Sequence, residues 1–401
     1  MDVVEQAIDT IDVAQLLLEQ LGLATGLRLA RLCRVWRDVS HLVHGHAKLL
    51  SATALNLGQP ALMDLLTGHA ELDVLLRRLP GGGQSKLCSE LGCFESPHSI
   101  KLLPSGELCV VDQSYTNPLR RVTIFSSSLE PLRELPCPRR LEYGEKPCPG
   151  EGRLMAAAPS KQFLFVSYYF PGSPFACGAL FKYSLHDFAL LKEVEGNQCI
   201  NEDEEDEDLL EFTSHFAVAE DMVVVDEKLY VCDRGGECGE PSVVVFDMDL
   251  EYLFTFGAGD DTRHYSVASP EGELTGPQAI TAHAGSIYVA ETLGNRVSVF
   301  DLKGNFQRIV LCNGEPFIKP LSIAFCCGRL LVGEFQDADY SSPSPEWPPS
   351  CVKVLTPDGV LLQTLDLKFS PQALCVDEDN GRVYASTGVH PARLQVLSIC
   401  R

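Results

Sequence analysis

From Gly276 to Leu311 the chain reads GPQAITAHAGSIYVAETLGNRVSVFDLKGNFQRIVL. Four short apolar runs lie in it: Gln278–Ala282, Ser286–Ala290, Arg296–Phe300 and Asn305–Leu311. Each break between them carries Gly, Asn or Asp. Val, Ile, Tyr and Phe suit a half-buried pleat, and Gly and Asn allow the positive φ of tight turns, so the runs are expected to be strands. Asp301-Leu-Lys-Gly304 closes the third run onto the fourth as a hairpin. Four antiparallel strands of this length, if repeated, make a propeller blade.

The pattern does repeat. Aligned on the second strand, CVVD ends at Asp112, LFVS at Ser167, YVCD at Asp233, YVAE at Glu291, LVGE at Glu334 and VYAS at Ser386. Aligned on the third, RVTIF, ALFKY, SVVVF, RVSVF, CVKVL and RLQVL end at Phe125, Tyr183, Phe246, Phe300, Leu355 and Leu397. Both rows keep one order, and the count is six blades. The last blade runs out at Arg401 after its third strand, while Ser85–Gly92 (SKLCSELG) precedes the first blade without a blade of its own. Pairing the two would close the ring and remove the exposed edges of an open sheet.

The Gly276–Leu311 stretch resembles an NHL repeat, with a Pro before an apolar strand, then YVAE, an N-R-V-x-V-F-D run, Gly and a final strand. The resemblance implies a mainly β fold, a six-bladed NHL-type β-propeller over residues 84–401, with strand 85–92 closing the last blade.

Residues 1–50 read differently. Leu16, Leu17, Leu21, Leu27, Leu29, Leu32 and Trp36 recur at helical spacing around a break at Gly22–Gly26. Leu16 to Val43, LLLEQLGLATGLRLARLCRVWRDVSHLV, resembles the F-box, its signature met by Leu27, Leu32, Cys33, Arg34, Trp36 and Arg37. Ile11-Asp12 stands where the family opens with Leu-Pro. The resemblance implies a small α-helical module that docks a Skp-type adaptor through Leu16, Leu17, Leu27, Leu32, Val35 and Trp36. The alternative is a helical hairpin capping the propeller, with Trp36 as a core anchor. Residues 51–83 continue as a helical linker that ends in the Gly81-Gly82-Gly83 hinge.

Composition narrows the function classes. With 401 residues and 45% hydrophobic content the chain can bury a propeller and a small module. Residues 1–80 hold seven Lys/Arg and nine Asp/Glu, so they carry −2 of the formal charge of −23 and the remainder carries −21. So acidic a body repels phosphate backbones, which disfavours nucleic acid as a partner. Acids occupy the N-terminus where a signal peptide needs a basic region, and no apolar run reaches the length of a membrane span. The sixteen Cys form no C-x-x-C pair, and Cys109, Cys232, Cys326 and Cys375 fall inside expected strands as small hydrophobes. The expected compartment is cytoplasmic or nuclear. NEDEEDED at residues 201–208 reads as a solvated loop, and YSSPSPEWPPS within 336–350 as a proline-rich one.

Two readings compete for the recurrent acids Asp112, Asp233, Glu291 and Glu334 at the ends of second strands. In one they ring a central channel and hold Ca²⁺, as in the six-bladed lactonases and gluconolactonases that this architecture resembles. In the other each accepts hydrogen bonds in the turn of its own blade, since a residue repeated once per blade does one local job in each. The second is preferred, with neither cofactor nor metal. His98, His215, His264 and His283 form no H-x-x-x-H pair, and no G-x-S-x-G elbow occurs. No catalytic residue is assigned. Tyr115, Tyr168, Tyr169, Phe170, Arg234, Phe335, Tyr340 and Trp347 follow second strands and are expected on one face of the ring, where Tyr, Trp and Arg anchor protein interfaces. Together the resemblances imply a substrate receptor of a cullin–RING ubiquitin ligase whose propeller holds a protein, favoured by a basic segment. The alternatives are a metal-dependent hydrolase and an NHL scaffold that binds RNA.

Overall fold

The computed structural model describes residues 86–91, 94, 96–112, 121–136, 142–143, 146–147, 153–170, 177–196, 215–235, 240–258, 270–335, 350–367, 370–379, 381–387 and 394–398. The chain divides between Gly82 and Gly83, and the described residues belong to the second unit. The expectations for residues 1–83, the adaptor contacts Leu16, Leu17, Leu27, Leu32, Val35 and Trp36 among them, lie outside the described residues.

Six four-stranded antiparallel sheets make a six-bladed β-propeller. Blade 1 comprises Pro97–Leu102, Leu108–Asp112, Arg121–Phe125 and Pro131–Pro136. Blade 2 comprises Arg153–Pro159, Phe163–Phe170, Cys177–Ser184 and Leu190–Glu195, and blade 3 Ala219–Val225, Lys228–Asp233, Ser242–Asp247 and Tyr252–Phe256. Blade 4 is Pro277–His283, Ser286–Glu291, Arg296–Asp301 and Phe306–Val310, and blade 5 is Pro320–Cys326, Arg329–Glu334, Cys351–Leu355 and Leu361–Asp366. Blade 6 takes three strands from the end of the chain, Pro371–Asp377, Arg382–Thr387 and Leu394–Ser398, and its outer strand, Lys86–Leu91, from far upstream. Lys86 pairs with Ser398 and Leu91 with Leu394. Each first strand touches the first strands of the blades before and after it, including that of blade 6 against blade 1. The ring is closed.

Six hydrophobic cores, one between each pair of neighbouring blades, hold the ring together. The pleat sends alternate residues to opposite faces of a blade. In blade 4, Ile287 and Val289 therefore enter the core shared with blade 3, while Tyr288 and Ala290 enter the core shared with blade 5. A strand covered on both faces reads as an unbroken apolar run rather than an alternating one, as Ser286–Glu291 does. Outer strands face water on one side and keep the alternation, as the exposed Leu253 and Thr255 against the half-buried Phe254 and the buried Phe256 illustrate.

Turn chemistry recurs as well. Where the third strand passes to the fourth, the first residue's side chain accepts amides two and four positions on. Asp247 takes Asp249 and Glu251, and Asp301 takes Lys303 and Asn305. The next position needs a left-handed backbone, which Gly304 supplies at φ 83°, and a Cβ there would also strike the Phe256 side chain at 2.7 Å.

Candidate functional site

The four recurrent acids are buried clamps. Each accepts the amide of a residue that leads into the first strand of its own blade, sixteen positions back: Ser96 to Asp112, Thr275 to Glu291 and Ile318 to Glu334, at 2.8, 2.8 and 2.9 Å. Asp233 takes Ala217 and Val218, at 2.9 and 2.7 Å, and Gly235 as well. The partners beside them differ. Glu291 is held by Arg296 Nε at 2.8 Å and by the Ser298 hydroxyl. Glu334 is held by Lys353 Nζ at 2.8 Å and touched by the Cys351 thiol. Burial pushes the Glu291 carboxyl up, with Arg296, Ser298 and the Thr275 amide pulling it back, and burial likewise raises Asp233 against its three amides. Burial works against the Lys353 ammonium, but Glu334 outweighs it and holds Lys353 above its ordinary range. These contacts spend the carboxylates inside their own blades. Among the described residues no three His, Cys, Asp or Glu side chains are placed to hold a metal.

Strand pairing corrects the sequence alignment in two blades. Leu164 and Val383 stand opposite Tyr183 and Leu397, as Ile287 stands opposite Phe300. The clamp position is therefore Tyr168 in blade 2 and Thr387 in blade 6, one residue beyond Ser167 and Ser386. The two serines do a different job. Ser386 accepts the Ala373 amide within its blade, and Ser167 bridges the Ala156 amide to the Ala219 carbonyl of blade 3.

A second repeated feature escaped the sequence reading. Every first strand slips register at its start, between Pro97 and Ser99, Leu154 and Ala157, Ala219 and Asp221, Pro277 and Ala279, Pro320 and Ser322, and Pro371 and Ala373. A bulge re-aims the extra residue. The residues it displaces include His98, Glu220, Gln278, Leu321 and Gln372, which line the central channel. Several are wired to one another. His98 Nδ1 meets the Met155 carbonyl at 3.0 Å, and Gln372 Nε2 meets His98 Nε2 at 3.1 Å. Gln278 donates to Glu220 at 2.9 Å, and the guanidinium of Arg234 closes on the other Glu220 oxygen at 3.1 Å. Deeper in, Lys101 of blade 1 reaches Asp221 of blade 3 at 2.8 Å. What is left between these side chains is about 20 Å³, room for roughly one water. The available signal was the proline that opens four of the six strands, whose follower is each time the bulged residue.

The sequence-chosen contact residues separate. Tyr168 is in the core between blades 1 and 2, 7% exposed and edge-on to Phe181 at 6.4 Å, so it is withdrawn from the loop face. Arg234 is half-exposed above the buried Glu220. Phe335 and Tyr169 are half-buried, and the Lys319 ammonium lies 5.8 Å from the Phe335 ring. Tyr115, Tyr340 and Trp347 lie outside the described residues. The histidines pack: His215 on Tyr252 at 3.6 Å and His283 on Phe325 at 4.1 Å between ring centres.

The two ends of the ring differ in the connections they carry. First-to-second and third-to-fourth turns are short, such as Asp226-Glu227 and 302–305. The long stretches 137–152, 197–214, 259–269 and 336–349 all join strand ends at the opposite side, where the clamps, the bulges and Arg234 stand.

No protein-family model matches the chain, and no curated protein matches it in sequence. Among solved structures, hydrazine synthase of Kuenenia stuttgartiensis is 12% identical with a TM-score of 0.45, over 73% of this chain and 74% of that one. The Cps50 (Swd1) β-propeller domain of Myceliophteria thermophila is 11% identical with a TM-score of 0.42, over 79% of this chain and all of that one. Nothing about function passes from either to this chain.

Proposed function

We propose that the protein is the substrate-recognition subunit of a cullin–RING ubiquitin ligase, with residues 1–50 holding a Skp-type adaptor and the propeller holding a protein partner. The observation that carries the propeller half is the one-sided distribution of long connections on a closed ring. Long connections on a rigid scaffold are where recognition residues sit. Arg234 and Phe335 stand at that end among the described residues, and Tyr169 beside the loop that follows it. The charge of −21 outside residues 1–80 favours a partner with a basic segment, by steering as much as by contact.

A lactonase-like hydrolase needs space for an organic substrate, and the cavity that His98, Glu220, Gln278 and Gln372 line among the described residues, about 20 Å³, is too small to hold one. An RNA scaffold needs unspent cations on the loop face. Arg234 is paired with Glu220, and Arg121 with Glu134 at 2.6 Å.

The test is co-expression of the full chain with a tagged Skp-type adaptor and a cullin. The proposal expects the three to purify as one assembly, and a chain that never enters it would refute the receptor role.

A further inference from the structure

The first-to-second-strand turn of blade 5 runs through Cys327 and Gly328, both left-handed at φ 50° and 72°. Asn, Asp or Gly is the ordinary first residue of such a two-residue hairpin. Blades 3 and 4 place Asp226-Glu227 and Ala284-Gly285 there. Cysteine has no conformational reason to occupy it.

Chemistry supplies one. Cys327 is exposed, Cys326 behind it is buried in the core between blades 5 and 6, and their sulfurs lie 4.0 Å apart. Cys109, Cys232, Cys312, Cys351 and Cys375, by contrast, are buried, and burial pushes the thiols of Cys109 and Cys375 up to about 12. An accessible thiol with a second thiol in reach is the arrangement that turns a sulfenic acid into a disulfide before it oxidises further.

We propose that Cys326 and Cys327 are a peroxide-sensitive pair that closes reversibly into a vicinal disulfide. The Cys327 sulfur attacks hydrogen peroxide, an S–O bond forms as the O–O bond breaks, and one water leaves. The Cys326 sulfur then attacks the Cys327 sulfur, an S–S bond forms as the S–O bond breaks, and a second water leaves. The thiols give up two electrons and two protons, and the peroxide takes them. Neighbouring Cα atoms are about 3.8 Å apart, less than the roughly 4.4–6.8 Å that disulfides span. The bond is therefore strained and readily reduced, which suits a switch and not a staple. Closure brings the sulfurs from 4.0 Å to about 2 Å and moves the turn. The Cys327 amide, which donates to Glu378 of blade 6 at 2.7 Å, then leaves that carboxylate and loosens the tie between the two blades.

The experiment exposes the folded full chain to dilute hydrogen peroxide, alkylates it after unfolding, and maps the peptide that holds both cysteines. The expected product has lost two hydrogens and both alkylation sites, and dithiothreitol restores them. Cys326→Ala should strand Cys327 as a sulfenic acid that dimedone captures. Cys327→Asn, which suits the turn and so preserves the fold, should leave Cys326 alkylatable. Dimedone capture in the native chain as complete as in Cys326→Ala, or coupling of Cys327 to any other cysteine, would overturn the proposal.

Discussion

Glu291 accepts the Thr275 amide at 2.8 Å, and so fastens the segment leading into the first strand of blade 4 to the end of its second. The same carboxylate holds Arg296, which is itself buried and also donates to the carbonyls of Pro270 and Glu273. Removing one partner of a buried pair leaves the other charge uncompensated, at a cost of about 3–5 kcal/mol. Glu291→Ala is expected to lose about that much stability in urea unfolding. Combining it with Arg296→Met should cost much less than the two changes added together. Additive losses would mean that the two side chains do not work as a unit.

Gly333 predicts a second coupling. A Cβ there would lie 2.2 Å from the Ser322 hydroxyl and 2.7 Å from the Pro371 ring, and that hydroxyl donates to the Pro371 carbonyl across the blade 5 to blade 6 seam at 2.7 Å. Gly333→Ala should therefore destabilise by about 1–3 kcal/mol through overpacking. Adding Ser322→Gly should relieve the part that comes from the hydroxyl and leave the part that comes from the Pro371 ring. A Gly333→Ala chain as stable as the wild type would show that the seam has slack.

Much of this architecture is legible in the residues. The β-branched runs of second and third strands give six blades because burial on both faces leaves them few alternatives, and Asp301 to Gly304 announces its hairpin through an acceptor followed by a glycine. The bulges are legible only in part. A proline opens four of the six first strands, but Leu154–Ala157 and Ala219–Asp221 slip register without one, because the slip is settled by how the strand meets its partner and the neighbouring blade. Glu220 and Arg234 meet because the second strand returns beside the first, which also hides the channel from a linear reading. Ser167 and Ser386 stand one position before the register that Tyr168 and Thr387 hold, and only the pairing with the third strand distinguishes the two.

The His283 ring lies on Phe325, and its burial, against the pull of Glu378, holds its pKa below the ordinary 6.5. The unfolded chain therefore binds more protons between that value and the depressed folded one. Over this window stability falls as pH drops, and below it the loss is complete and level. His283→Phe should remove this part of the pH dependence while keeping the stack. Urea midpoints measured on both chains from neutral to mildly acidic pH should show the wild type falling relative to His283→Phe on the acid side; parallel curves would rule the effect out.

Arg234 and Arg121 make a contrast in ion pairs. Arg234 meets an almost fully buried Glu220, whereas Arg121 meets a Glu134 that is more than half exposed. Exposed pairs contribute about 0–1 kcal/mol. Arg234→Ala should cost more than Arg121→Ala, because among the described residues Glu220 would keep only its side-chain bond from Gln278. Equal midpoints for the two variants would mean that water replaces the guanidinium over Glu220.

The receptor account stands or falls on contact with the adaptor. The direct measurement is calorimetric titration of a Skp-type adaptor into the full-length chain, alongside Trp36→Ala and Leu32→Asp. The account predicts saturable one-to-one binding that both changes remove, with the unfolding of the propeller unaltered. Absence of binding, or binding that survives both changes, would contradict it.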